Sequence, residues 1–321
     1  MIRFWNKILC FVIPVFMLMI CGCNSIELPE IKAHVKTEAP IEKKFLESGP
    51  EKIRNYTETA NDFKLKTFRI WYPERLETEK NKRFPLIVFC NGTGYRATRF
   101  SAIFRHLASW GFIVVGTDEE WSGKGRGAIL SLRFVLDKNQ DPQSIFYQKI
   151  NLDQVGIAGH SQGGAGAINA ITRFKDGQIF KALFTISGAK QEQASHWVLR
   201  CPYDPGKLRI PVMMTATSNP YGWDEANPER EHLAICPLDS MQKNRDDILK
   251  NGKTTVVIAR VANKKKYHAD NLAMSAPYMT AWFLYWLKGD KEAGKFFAGN
   301  TPELKNNLCW QDVEIHHANE L

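Results

Sequence analysis

Residues 155–166 read VGIAGHSQGGAG, an apolar run that gives way to a serine with a glycine two positions to either side. If QVGIA is a strand and GGAGAINAITRF a helix, Ser161 lies in the tight turn between them. Its backbone must then take a crowded conformation, and Gly159 and Gly163 remove side chains that would collide with each other or with neighbouring strands. The turn lifts the serine oxygen above the sheet edge and aims the amino terminus of the next helix at it, so the place favours negative charge. A phosphate-binding loop is excluded, because no Lys followed by Ser or Thr closes the run.

The surrounding pattern gives that turn its setting. The segments FKLKTFRIWYP, FPLIVFCNG, GFIVVGTD, FKALFTISG, IPVMMTATS and TTVVIARV have strand length and strand composition, and most are apolar throughout. Between them, FSAIFRHLASW, GAILSLRFVLD, AGAINAITRF and YMTAWFLYWLKG carry helical periodicity, with Trp282, Phe283 and Trp286 spaced as core residues. Continuously apolar strands separated by amphipathic helices indicate a mostly parallel sheet covered on both faces, a doubly wound α/β fold. With 321 residues, 44% of them hydrophobic, the chain is long enough for one large domain of this kind. No internal repeat is visible.

The amino terminus has a different composition. Arg3 and Lys7 precede an unbroken apolar stretch, Ile8 to Ile20, which suits the core of a signal peptide better than a membrane span. It is followed by Ile20, Cys21, Gly22 and Cys23, which resembles the lipobox of bacterial lipoproteins and predicts Cys23 as the lipidated residue. Cys21 fits less well, because Ile20 is bulkier than Gly22 before the cut. The expected organisation is a signal peptide over 1–22, a lipid-anchored tether over 23–50, and a catalytic domain over 51–321. Such a protein would be exported to the cell envelope and held on a membrane surface by acyl chains.

In that oxidising compartment cysteine pairs can form. Four non-lipidated cysteines remain, Cys90, Cys201, Cys236 and Cys309. Cys201 and Cys236 each precede a proline in the same loop-rich region, so a bridge there is preferred, whereas Cys90 ends an apolar run and reads as a buried thiol. Loss of Arg3 and Lys7 with the signal lowers the formal net charge from +9 to +7. The lysines are scattered and no nucleic-acid motif accompanies them, so nucleic acid is not an expected partner.

A serine hydroxyl is a poor nucleophile until a base takes its proton, and in this fold the chain order is Ser, acid, His. TTVVIARVANKKKYHADN supplies the base: a β-branched strand, a polar loop, then His268 before a helix expected near Ser275. The acid should follow RIPVMMTATS. Asp224 is first choice there, with Glu225 and then Asp239 behind it. An oxyanion hole needs two backbone N–H groups. Gln162, directly after the serine, gives one, and the loop NGTGYRATRF gives the other from Thr93, with Tyr95 as the alternative. Tyr95, His160 and Trp223 are the candidate substrate-binding side chains, and Trp197 and Tyr221 share the extended region with Trp223. Loop aromatics that only anchor this region are an equally good reading of that group. No metal or organic cofactor is required.

From about Phe84 to Trp310 these segments together resemble the cutinase-like polyester hydrolases, including polyethylene terephthalate hydrolases, and the related chlorophyllase and dienelactone hydrolase group. The resemblance is carried by VFCNGTGYRATRFSAIFRHLASWGFIVVGTD, NLDQVGIAGHSQGGAGAI and YHADN. It implies the α/β-hydrolase fold, Ser161 as nucleophile, His268 as base, backbone donors at Thr93 and Gln162, and cleavage of carboxylic esters. The chain departs from the family in three places. Asn219 and Pro220 stand where the acid is expected, residues 190–240 are longer, and Asp270 replaces a cysteine beside the histidine. Two other readings stand beside ester hydrolysis: a serine peptidase or amidase, and a binding lipoprotein that keeps the fold without catalysis.

Overall fold

In the strand Phe84–Cys90 every residue is buried, and successive side chains go to opposite faces. Leu86, Val88 and Cys90 enter one apolar core, while Ile87 and Phe89 enter the other. Because side chains alternate along a strand, an all-apolar run needs cover on both faces. The computed structural model describes residues 31–225 and 233–316. Its strands are β1 (Ile53–Thr59), β2 (Thr67–Pro73), β3 (Phe84–Cys90), β4 (Ile113–Thr117), β5 (Ile150–His160), β6 (Ala182–Ile186), β7 (Val212–Thr217), β8 (Val256–Val261) and β9 (Trp310–His316). They form one sheet in the order β1-β2-β4-β3-β5-β6-β7-β8-β9, in which β4, β3, β5, β6, β7 and β8 run parallel. β1, β2 and β9 are added antiparallel to their neighbours.

The longer helices are α1 (Pro40–Leu46), α2 (Ser101–Ser109), α3 (Arg126–Gln140), α4 (Gln162–Arg173), α5 (Leu238–Lys250) and α6 (Asp270–Lys288). Residues of α1, α2 and α6 share one core with Ile87, Phe89 and Phe184, while residues of α3, α4 and α5 share the other with Leu86, Val88 and Leu183. This is the expected α/β-hydrolase architecture. Trp282 and Phe283 are fully buried, as their helical spacing indicates. Among the described residues, no helix is long and apolar enough to cross a membrane.

Three local expectations differ from the structure. The strand expected from Phe63 begins at Thr67, because Asp62 Oδ1 accepts the amides of Lys64 and Leu65 and bends the chain there. The helix after His268 starts at Asp270 rather than near Ser275. No disulfide joins Cys201 and Cys236: both are free, buried thiols within the same apolar core, where they pack as small hydrophobes. Cys90 is buried, as expected, and desolvation pushes its thiol well above the ordinary range.

The largest difference concerns the tether. Its residues up to 30, with the expected signal peptide and Cys23, lie outside the described residues, but from Ile31 onward the chain is part of the domain. Ile31, Val35, Ile41 and Phe45 are buried in the core beside α6. Polar ties fix the same segment: Trp310 Nε1 and Asn307 Nδ2 donate to the two carboxylate oxygens of Glu42 at 2.8 and 2.7 Å. Glu303 accepts the Ile41 and Glu42 amides at 2.5 and 3.0 Å, and Phe45 O lies 2.9 Å from His106 Nε2. Composition rich in Glu, Lys and Pro hides the helical pair Ile41 and Phe45, four residues apart on one face. Phe45 is fully buried, so Phe45→Ala is expected to lower unfolding stability by about 3–5 kcal/mol. Chemical denaturation measures this, and a loss below about 1 kcal/mol would show that the segment adds nothing to the core.

Candidate active site

Ser161 stands between the end of β5 and the start of α4 with φ +57° and ψ −125°, a region that residues with side chains rarely occupy. Backbone bonds hold it there from both sides. Its N–H donates to Ile186 O at 2.9 Å, and its carbonyl accepts from Gly164 N at 2.9 Å and Ala189 N at 3.0 Å. The glycines answer the steric question raised by the sequence. A Cβ on Gly159 would stand 2.1 Å from Gly163 O, and one on Gly163 would stand 2.1 Å from Cys90 O. Both obstacles are backbone, so neither can move aside cheaply. The amino terminus of α4 therefore meets Ser161 directly at the carboxyl edge of the parallel strands.

His268 and Asp224 meet at the same edge. His268 Nδ1 lies 2.5 Å from Asp224 Oδ1, with His268 buried and Asp224 fully so. The other carboxylate oxygen, Oδ2, accepts from Ser187 Oγ at 2.6 Å, Thr217 N at 2.8 Å and Thr217 Oγ1 at 3.0 Å. Burial alone would raise the carboxyl pKa, but the His268 imidazole and these donors outweigh it and hold it below the usual range. The imidazole of His268 stands beside the serine turn: its ring centroid is 4.6 Å from that of His160, the residue before Ser161.

A late carboxylate reaches this position because the chain doubles back. Gly222 N donates to Asn219 O and Tyr221 N to Asn219 Oδ1, both at 2.9 Å, which closes a compact turn before Asp224. The returning segment then pairs with it, Ile235 N to Trp223 O at 2.6 Å and Cys236 N to Asp224 O at 3.2 Å. The two alternative acids are engaged elsewhere. Glu225 pairs with Arg260, which also pairs with Asp312 at 2.7 Å. Asp239 is exposed at the start of α5 and accepts the Ser240 amide.

The loop after β3 comes up against the serine turn, since a Cβ on Gly92 would lie 3.2 Å from Ser161 Cβ and 2.9 Å from His160 Nδ1. Within this loop the Tyr95 amide donates to Gly92 O at 3.1 Å and the Gly94 amide to Glu120 O at 2.8 Å, so both are committed. The Thr93 and Gln162 amides have no acceptor among the described residues. Asn91 braces the loop: its Nδ2 donates to Thr117 O at 2.7 Å and Glu119 O at 2.9 Å, and its carbonyl accepts from Ser122 Oγ.

The side chains expected to contact substrate differ in exposure. Tyr95 is half-buried, its ring stacked on that of His160 with centroids 5.8 Å apart and planes 7° from parallel. His160 is only 1% exposed and its ring lies against those of Tyr95 and His268, so it forms a floor under them rather than an open wall. Burial pushes its pKa well down, which keeps the ring neutral. Trp223 is half-buried and packs against the core beneath α5, whereas Trp197 and Tyr221 project into solvent. Among the described residues, no cluster of His, Cys, Asp and Glu is arranged to hold a metal ion.

Ser187, Thr217 and Asn91 were not singled out in the sequence. They act by fold proximity, and the only local hint is that Ser187 and Thr217 close or follow apolar strands. Ser187 is further tied to α6, because Asn271 Nδ2 donates to its Oγ at 2.9 Å.

Glu119 supplies a test of the loop's surroundings. Burial raises its carboxyl pKa from 4.5 to about 7, against partial relief from Arg126. The folded value lies above the unfolded one, so the native state holds a proton that the unfolded chain has released. Its contribution is complete at low pH and is lost as pH rises from about 4.5 to about 7. Unfolding free energy is expected to fall by about 2–3 kcal/mol across that window, and Glu119→Gln should flatten the slope. Denaturation at several pH values checks this, and an equal slope in the variant would contradict it.

A family model described as PET hydrolase-like matches residues 49–312, which covers the sheet, the serine turn and the His268 loop. No curated protein matches the chain. On the match over most of its length, the chain belongs to the PET hydrolase-like family of ester hydrolases, with the α/β-hydrolase fold.

Proposed function

We propose that this protein is a serine esterase that cleaves carboxylic esters through an acyl-enzyme, with Ser161 as nucleophile, His268 as general base and Asp224 as the orienting acid. The observation that carries the reading is the contact of His268 Nδ1 with a wholly buried Asp224, beside a serine held at positive φ. With Nδ1 turned to Asp224, Nε2 is the nitrogen left to take a proton. As Ser161 Oγ attacks the ester carbonyl, its proton passes to His268 Nε2. Asp224 steadies the imidazolium that forms.

The oxygen that gains charge is met by the Thr93 and Gln162 amides, neither of which has an acceptor among the described residues. Tyr95 is not that donor, since its amide is spent on Gly92 O. His268 then returns the proton to the leaving alkoxide, which departs as alcohol. A water, deprotonated by the same nitrogen, attacks the acyl-serine; the acid leaves and Ser161 regains its proton. Tyr95 borders the bound acyl group, with His160 supporting it from below. Trp223 anchors the extended region.

Export and lipid attachment at Cys23 complete the proposal. They are supported by the apolar run Ile8 to Ile20 and by Gly22 before the cysteine.

A panel of soluble esters and peptides assayed at one pH tests the function. Ester turnover is expected, with kcat/KM reduced at least about 10⁴-fold in Ser161→Ala and in His268→Ala. Asp224→Ala should cost roughly 10²–10⁴-fold with KM nearly unchanged, as expected of an orienting group. Full activity in Asp224→Ala would remove it from the mechanism, and turnover of peptides but not esters would overturn the substrate class.

A further inference from the structure

Among the described residues, most of the exposed aromatic side chains lie at the carboxyl edge of the sheet. Trp121 follows β4, Trp197 follows β6, Tyr221 follows β7 and Tyr267 follows β8, all exposed. Phe63, 84% exposed, stands in the turn between β1 and β2, which the bond from Asp118 N to Leu65 O ties to the carboxyl end of β4. Leu308, 93% exposed, adjoins the end of β8 through the bond from Ala262 N to Cys309 O. The other large apolar side chains that the described residues leave exposed, Ile145, Tyr147 and Leu152, lie together near the amino end of β5. Scattered apolar residues need no explanation, but a one-sided set around a single edge does.

Among the described residues, the charge left without a close ion pair on this edge is cationic. Lys264, Lys265 and Lys266 stand immediately before Tyr267, Lys64 adjoins Phe63, and Arg200 follows Trp197. Among the described residues none of the five forms a close ion pair, and only Lys64 acts on an acid at longer range, the buried Glu119. Of the acids described nearby, Asp62 pairs with Arg126, Glu120 with Lys66 and Arg96, and Glu225 with Arg260, while Asp270 lies beside His34.

That last pair also locates the chain that enters the domain. His34 Nδ1 is 3.5 Å from Asp270 Oδ1, two residues beyond His268, and Lys36 O accepts from Cys309 Sγ at 3.1 Å. The chain therefore joins the domain at the same edge as the site. Between Cys23 and Ile31 there are eight peptide steps, able to span at most about 28 Å. Aromatic side chains among unpaired cations, with the chain's entry beside them, match an anionic lipid surface: rings enter the interface while lysines meet headgroups.

We propose that the carboxyl edge of the sheet is a docking face for an anionic lipid bilayer, which seats the mouth of the Ser161 site against the membrane so that it meets esters at the interface. The docking stands on its own geometry; its use in hydrolysis rests on the esterase reading above. The full chain, reconstituted in vesicles whose acyl chains carry bromine, gives the test, since bromine quenches tryptophan that enters the bilayer. Phosphatidylcholine vesicles are compared with vesicles that also contain phosphatidylglycerol.

Tryptophan quenching in the wild type is expected to be deeper in the anionic vesicles, and the excess should vanish in the double variant Trp121→Phe, Trp197→Phe. The triple variant Lys264→Glu, Lys265→Glu, Lys266→Glu should lose the excess too. Each lysine at such a surface is worth about fivefold in partitioning, so a loss of at least about tenfold in anionic preference is expected. Its turnover of a soluble ester in detergent should stay within about twofold, which shows that it is folded. Equal quenching in both vesicles, or an undiminished excess in the triple variant, would overturn the docking face. Absent soluble-ester turnover with the excess quenching intact would overturn the esterase reading and leave the docking face standing.

Discussion

The backbone of Ser161 is the constraint on which the site depends. A non-glycine residue at φ +57° costs free energy that the neighbouring structure must offset. Here the offset is distributed over a strand, a loop and a helix. β6 accepts the serine amide through Ile186, the loop after β6 reaches its carbonyl through Ala189, and the first turn of α4 does so through Gly164. Close approach is possible only because Gly159 and Gly163 carry no side chain. The sheet thus pre-forms the turn before any substrate arrives.

The second requirement is electrostatic. A fully buried carboxylate without partners would neutralise itself by taking up a proton. Asp224 stays charged because Oδ1 faces His268, while Oδ2 receives one amide and two hydroxyls. The donors are themselves held. Asn271 reaches Ser187 Oγ and Thr215 Oγ1, and Ser275 joins Thr215 Oγ1 to Asn271 Oδ1. A buried polar chain so couples α6, which begins just after His268, to the ends of β6 and β7. The amino-terminal segment packs on that same helix, and its His34 Nδ1 lies 3.5 Å from Asp270 Oδ1, two residues beyond His268.

What the sequence made legible follows from how local each signal is. The apolar strands and the turn at Ser161 were readable because period, glycine spacing and strand-to-helix order all sit within a dozen residues. His268 was readable from the strand and loop before it. β1 and β9 escaped notice: IRNYTET and WQDVEIH are edge strands, polar enough to resemble loops, with mostly half-buried or exposed residues. The packing of Ile31 to Leu46 was hidden by its charged composition. Asp224 could be ranked ahead of Glu225 only by order, since the fact that separates them, Arg260 on the other, joins residues 35 positions apart. The partners of Oδ2 and the brace at Asn91 are contacts between strand ends, which no linear pattern records.

The central claim is that a single serine in this chain is made reactive by an imidazole that a buried carboxylate orients. Treatment of the folded protein with a fluorophosphonate, followed by mass mapping of the peptides, addresses it directly, because the reagent bonds only to an activated hydroxyl. The account predicts one adduct per chain, on the peptide containing Ser161, and none when His268 is alanine. An unmodified Ser161 at neutral pH, or an adduct that persists without the imidazole, would contradict it.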